Sequence, residues 1–184
     1  MSTTRRWWVP LLAAGLVTLL LAVFVGPPGA GDEAKAVVEP RATTRTITIP
    51  GGAFIPTNDD LGWQNDGYQV VVVGPSTSGS FTAPLFFEAP EVTIKRMTLF
   101  AYDNGGGAVC VGLYRTKPGI GDDQEMGEVC STGDTNGVRS FTERAGDFSY
   151  LRLTGLHGPY LGLYVPGTYS NGYSFYGVRI TYSY

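Results

Sequence analysis

The chain has 184 residues, 43% of them apolar and 16% charged, with 26 glycines, 12 prolines and a formal charge of −3. That length suits one globular domain able to bury most of its apolar surface, and plentiful aromatic and β-branched residues against sparse charge exclude a disordered chain. A mildly acidic chain without a Lys/Arg cluster is also a poor electrostatic partner for nucleic acid.

The composition is uneven along the chain. Arg5 and Arg6 precede Trp7–Val25, an apolar run broken only by Pro10, Gly15 and Thr18, and no further charge follows until Asp32. A positive n-region, an apolar h-region, the helix-breaking Gly26-Pro27-Pro28-Gly29 and the small-x-small triplet Ala34-Lys35-Ala36 make an export signal. Cleavage is expected after Ala36, with Ala30 as the second choice. The run is also long enough to span a bilayer, so residues 1–36 read either as a cleaved signal peptide or as a single-pass membrane anchor. Thr4-Arg5-Arg6-Trp7-Trp8-Val9 loosely resembles a twin-arginine export motif. Each reading places the rest of the chain outside the cytoplasm, secreted or held at the cell surface. Membrane contact is expected only through an uncleaved N-terminal segment.

Residues 37–43 read as a short tether, and residues 44–184 as one domain. From Thr43 onward, short segments rich in β-branched and aromatic residues alternate with Gly/Asn/Asp/Pro punctuation. The predicted strands are Arg45–Ile49, Tyr68–Val73, Ser80–Phe87, Val92–Tyr102, Ala108–Arg115, Glu125–Ser131, Val138–Thr142, Phe148–Leu153, Tyr160–Val165 and Tyr173–Tyr184. Asp103-Asn104-Gly105-Gly106-Gly107 reads as a tight turn between two of them. In the last strand Tyr176, Val178, Ile180 and Tyr182 share one face, while Phe175, Arg179 and Thr181 share the other. No window after residue 40 sustains the spacing of an amphipathic helix over three turns, and no internal repeat is visible. The expected fold is all-β: an antiparallel two-sheet β-sandwich, jelly-roll-like, of about ten strands.

Cys110 and Cys130 lie on adjacent predicted strands. In a hairpin symmetric about Ile120 they face each other, which in an exported domain most simply means a disulfide, with two buried free thiols as the alternative. A loop of about 20 residues closed in this way contributes about 3 kcal/mol in the chain-entropy model.

The sequence presents no convergent catalytic set. Gly74-Pro75-Ser76-Thr77-Ser78-Gly79-Ser80 lacks the Gly-x-Ser-x-Gly spacing of a serine hydrolase. His157, the sole histidine, reads as a turn residue, and Gly105-Gly106-Gly107 lacks the lysine and helix of a phosphate loop. Asp122, Asp123 and Glu125 cluster in the loop of the Cys hairpin, and Asp59, Asp60 and Asp66 bracket Trp63 in another. Calcium favours oxygen-rich loops, so the first cluster is a candidate Ca²⁺ site, although neither has EF-hand spacing and such residues also serve turn geometry. No other cofactor is expected.

Tyrosine and tryptophan join a large apolar face to a polar tip. Trp63, with Asp66 near it, and Tyr169 lie in polar loops, the composition of a carbohydrate platform: a ring to stack on sugar and polar groups to bond its hydroxyls. The alternative is that both rings fold back and cap the sandwich ends. Tyr176 and Tyr182 are assigned to the core.

Tyr173-Ser174-Phe175-Tyr176-Gly177-Val178-Arg179-Ile180-Thr181-Tyr182 resembles the final strand of a group of uncharacterised exported bacterial β-sandwich proteins. Met97–Asn104, Val109–Arg115 and Ser80–Leu85 are similar to further strands of that group, so the likeness spans roughly residues 49–184. It implies an exported sandwich and no known activity. The cysteines and the glycine triplet depart from the group's pattern, so the resemblance gives the disulfide no support. The function expected from these readings is non-catalytic surface contact: binding of polysaccharide or a cell-envelope component, or a structural role. A secreted hydrolase working through two carboxylates and a subunit of a larger surface protein assembly are the alternatives.

Overall fold

A computed structural model describes residues 41–74, 76–133 and 136–184. The predicted export or anchor segment and most of the tether lie outside the described residues. Twelve strands follow in chain order: β1 Thr44–Pro50, β2 Ile55–Pro56, β3 Trp63–Asn65, β4 Val70–Val72, β5 Gly79–Pro84, β6 Val92–Asp103, β7 Cys110–Lys117, β8 Asp122–Cys130, β9 Arg139–Arg144, β10 Arg152–Leu153, β11 Gly158–Val165 and β12 Tyr173–Ser183. The only helical elements among the described residues are single 3₁₀ turns, including Tyr169–Asn171 before β12.

The strands form two antiparallel sheets. In the seven-stranded sheet, β12 pairs with β6 on one side and with β1 and β4 on the other, β6 continues to β9 and β10, and β3 closes the edge beyond β4. The five-stranded sheet runs β2-β5-β11-β7-β8. Period-two alternation turns Phe81 and Ala83 of β5, Val111 and Leu113 of β7, and Leu161, Leu163 and Val165 of β11 inward. They meet Met97, Leu99 and Ala101 of β6 and the inward residues of β12 in one hydrophobic core. Full burial of each large side chain supplies about 1.5–3 kcal/mol, which is why apolar alternation in short segments suffices to specify a sandwich.

Three bulges break that alternation. In β12, Phe175 pairs with Ala101 and Gly177 with Phe100, so Tyr176 is an extra residue. The phase of the strand therefore flips: Tyr173 and Phe175 point inward before the bulge, Val178, Ile180 and Tyr182 after it. This corrects the assignment of Tyr176 to the core and of Phe175 to the opposite face. Phe175 is fully buried, edge-on to Phe54 with ring centroids 4.8 Å apart, whereas Tyr176 lies half-buried beside Tyr68. Gly177 closes the bulge at φ 152°, and a Cβ there would lie 2.7 Å from Ile49 O. The other bulges are on β6, where Lys95 is skipped in the pairing with β12, and on β8, where Met126 is skipped in the pairing with β7.

Two further expectations change. The Gly105–Gly107 stretch is not a hairpin turn, because β6 and β7 belong to different sheets and the segment crosses between them. It is held by Gly107 N–H donating to Tyr173 Oη (2.8 Å) and by buried Asp103, whose carboxylate accepts from Ser131 Oγ and from Gly133 N–H. The strand count exceeds ten because β2 and β3, of two and three residues, carry too little pattern to be seen in sequence.

Candidate functional site

The outward face of the five-stranded sheet presents three rows of side chains set by register. The first row is Pro84, Tyr160, Tyr114 and Glu125; the second is Thr82, Gly162, Gly112 and Glu128; the third is Ser80, Tyr164, Cys110 and Cys130. Two glycines in the middle row leave a trough between tyrosine rows. Tyr114 leans into it: a Cβ on Gly112 would lie 2.7 Å, and one on Gly162 2.9 Å, from its ring atom Cε2. Tyr160 stacks on Tyr114 with ring centroids 5.2 Å apart and 15° between planes. The trough encloses about 360 Å³, with Thr57, Ser80 and Thr82 on one side and Glu128 on the other.

The acidic wall depends on the β8 bulge. Residues three apart in a regular strand face opposite ways. Because Met126 is skipped, Glu125 and Glu128 both face outward, opposite Tyr114 and Gly112. Tyr114 Oη donates to Glu125 Oε2 (3.2 Å), and Tyr160 Oη donates to Asp123 Oδ2 (2.9 Å). Burial, then the hydrogen bond to Asp123, pushes the Tyr160 hydroxyl up to about 12, which keeps it a donor at physiological pH. Burial, then repulsion from Glu125, raises the Glu128 carboxyl above its usual 4.5. A carboxyl that holds its proton more tightly in the folded state favours folding at low pH, and that contribution is lost as pH rises through 4.5 toward the raised value. Glu128→Gln is therefore expected to raise the melting temperature slightly at pH 7 and to leave it unchanged at pH 4, as read by calorimetry; an equal shift at both pH values would contradict this account.

Cys110 and Cys130 form a disulfide across β7 and β8, as their register requires. Glu128 Oε2 lies 3.4 Å from Cys130 Sγ, so the bridge floors the third row beside the acidic wall. Cys110, Glu128 and Cys130 are the one group of three metal-capable side chains brought together among the described residues, and its sulfurs are already bonded to each other.

The candidate Ca²⁺ cluster Asp122, Asp123 and Glu125 does not converge. These residues lie within β8 and not in a loop; Asp123 and Glu125 face outward, while Asp122 points to the other face, where its Oδ2 accepts from Gln124 (3.0 Å). Strand alternation divides what proximity in sequence grouped.

Trp63 lies on β3 of the other sheet, Asp66 in the turn after it and Tyr169 on the 3₁₀ turn before β12. Trp63 pairs with inward Val72, and its half-buried ring packs against the core, 6.0 Å from Phe81. Asp66 and Tyr169 line a smaller cavity together with Gln64 and Gln69. Sequence reasoning missed Tyr114, Tyr160, Tyr164 and Glu128. The signal for the tyrosines is Tyr160-Leu161-Gly162-Leu163-Tyr164, in which large, small and large side chains occupy the outward positions and leucine both inward positions between them.

No protein-family model and no curated protein matches this sequence. Among solved structures, the chain is similar to a low-affinity xylan-binding module, CBM86, from Roseburia intestinalis, at 13% identity over 76% of this chain and 94% of that one, with a TM-score of 0.38. It is similar to a family 29 carbohydrate-binding module from Piromyces equi at 14% identity over 77% and 90% of the two chains, TM-score 0.36. It is also similar to the catalytic domain of a GH87 α-1,3-glucanase at 9% identity over 75% of this chain and 28% of that one, TM-score 0.35. These are distant likenesses of architecture and bring no ligand to this chain.

Proposed function

We infer that the protein binds polysaccharide, without cleaving it, on the outward face of the five-stranded sheet. The observation that carries this reading is the stacked Tyr114–Tyr160 pair lying along a glycine-floored trough with the Glu128 carboxylate on its rim. An aromatic face packs against the C–H face of a pyranose, and carboxylate, hydroxyl and threonine groups beside it bond the sugar hydroxyls. The rings are held before any ligand arrives, by each other and by Glu125 and Asp123, so little side-chain freedom is lost on binding. No Lys or Arg occupies an outward position in the three rows, and two carboxylates, Glu125 and Glu128, do. A neutral glycan suits such a face; an anionic one does not.

Glycoside hydrolysis needs two carboxyl groups flanking the scissile bond. Glu125 and Glu128 stand on one edge strand, and of the two only Glu128 lines the trough, opposite Thr57, Ser80 and Thr82, so they do not flank a bond from both sides. An extracytoplasmic setting is part of the same reading, supported by the export-like N-terminal sequence and by a disulfide, which persists in oxidising compartments.

Tyr114→Ala is expected to weaken binding to its neutral polysaccharide by about 30-fold, the ~2 kcal/mol of a central aromatic contact. Affinity electrophoresis against a panel of neutral and anionic polysaccharides measures this, with reducing ends assayed in parallel. Undiminished binding by both Tyr114→Ala and Tyr160→Ala would remove the platform, and release of oligosaccharides would make the protein a hydrolase.

A further inference from the structure

On the opposite face of the sandwich, where β3 and β4 form the edge of the seven-stranded sheet, a separate cavity of about 220 Å³ is lined by Gln64, Asp66, Gln69, Val71, Val73 and Tyr169. Its polar groups are fixed by one another. Gln64 Nε2 donates to Asp66 Oδ1 (2.7 Å) and Gln69 Nε2 to Asp66 Oδ2 (2.8 Å). Gln69 Oε1 in turn accepts from Ser174 Oγ (2.9 Å), and Ser174 is fully buried. The carboxylate is thus anchored to the body of the sheet through two links.

The anchoring leaves capacity for a ligand. Each carboxylate oxygen carries two acceptor sites and spends one on a glutamine, while Gln64 keeps its Oε1 and a second N–H. The Gln69 and then the Gln64 hydrogen bond hold the Asp66 carboxyl below its usual range, so it stays ionised and accepting. The floor is apolar: Val71 pairs with outward Gln64, and its side chain faces away from the core valines Val70 and Val72. Above it stands Tyr169, 57% exposed, carried by the 3₁₀ turn that lies beside β4 through the Thr168–Val72 bridge. An aromatic wall, an apolar floor and a rigid acceptor–donor pair together match a pyranose with adjacent hydroxyls, and the volume admits one ring.

We propose that this cavity is a second saccharide site, in which Asp66 and Gln64 hydrogen-bond adjacent hydroxyls of a neutral pyranose stacked on Tyr169. It extends the polysaccharide-binding reading but shares no residue with the Tyr114 trough. The two sites lie on outward faces of opposed sheets, so one glycan strand cannot fill both. Two strands can, which makes the protein a cross-linker of polysaccharide, with the avidity of a bivalent binder.

The test is calorimetric titration of the protein with neutral gluco-, manno-, galacto- and xylo-oligosaccharides, together with turbidity on mixing with the matching soluble polymers. The wild type is expected to bind two oligosaccharides, and Tyr114→Ala and Tyr169→Ala one each. Turbidity is expected in the wild type alone. Asp66→Asn, which keeps the shape of the hairpin, is expected to weaken the second site at least tenfold. A wild-type stoichiometry of one, unchanged by Tyr169→Ala and Asp66→Asn, would overturn the second site while leaving the trough intact. Loss of a site in Tyr169→Ala but not in Tyr114→Ala would keep the second site and overturn the trough. Absence of binding to every oligosaccharide and polymer would overturn both.

Discussion

Phe175→Ala is expected to lower the free energy of unfolding by about 3–5 kcal/mol, the range for truncating a buried phenylalanine. Phe175 is fully buried where β12 meets β6 and β4, opposite Ala101 and Val70. Small and β-branched partners cannot collapse into the space a phenylalanine leaves, so most of the cavity persists. Its edge-to-face contact with Phe54 adds about 0.5–1.5 kcal/mol beyond the area term. Tyr176→Ala, one position along, is the informative control. Tyr176 is the extra residue of the bulge, half-buried beside Tyr68, and its loss is expected to cost about 1 kcal/mol or less. Urea denaturation of the two variants reads the difference directly. Equal losses would mean that β12 does not carry the bulge.

Loss of the Cys110–Cys130 bridge is the second large effect. Cys110→Ala/Cys130→Ala is expected to cost about 3 kcal/mol, a fall of roughly 6–12 °C in melting temperature for a domain of this size. The bridge closes the β7–β8 hairpin, and among the described residues β8 is an edge strand with no partner beyond it in the sheet. Without the crosslink, β8 is retained by its ladder to β7 and by the core contacts of Met126 and Val129. The acidic wall rides on that strand, so the proposed glycan binding is expected to weaken together with stability. Differential scanning calorimetry with and without a reducing agent tests the first effect; a reduced protein that melts with the oxidised one would contradict it.

The two effects differ in how visible they are in the sequence. The disulfide follows from local arithmetic, since a hairpin centred on Ile120 brings Cys110 to Cys130. The route to that register is less simple: the turn is centred between Gly119 and Ile120, with Lys117 paired to Asp122, and the extra residue Met126 restores the register at the cysteines. The same extra residue places Glu125 and Glu128 side by side, which no reading of β8 alone provides. The platform tyrosines were partly legible, as alternation in Tyr160–Tyr164, but Tyr114 becomes their neighbour only because β7 pairs with β11, with β8, β9 and β10 between them in sequence. Asp66 and Tyr169 are more than 100 positions apart, yet they share a cavity that Trp63, three positions from Asp66, does not line.

Sequence by itself determined the class of the fold, nearly every long strand and the cysteine pairing. These rest on period-two patterning, turn residues and local spacing, which act over a few residues. Tertiary structure decided the bulges, the order of strands in each sheet and hence which tyrosines and carboxylates share a face. A bulge is fixed by the strand on which it is paired, and one inserted residue reverses every outward and inward position beyond it. The pattern of a strand is local; its phase belongs to its partners.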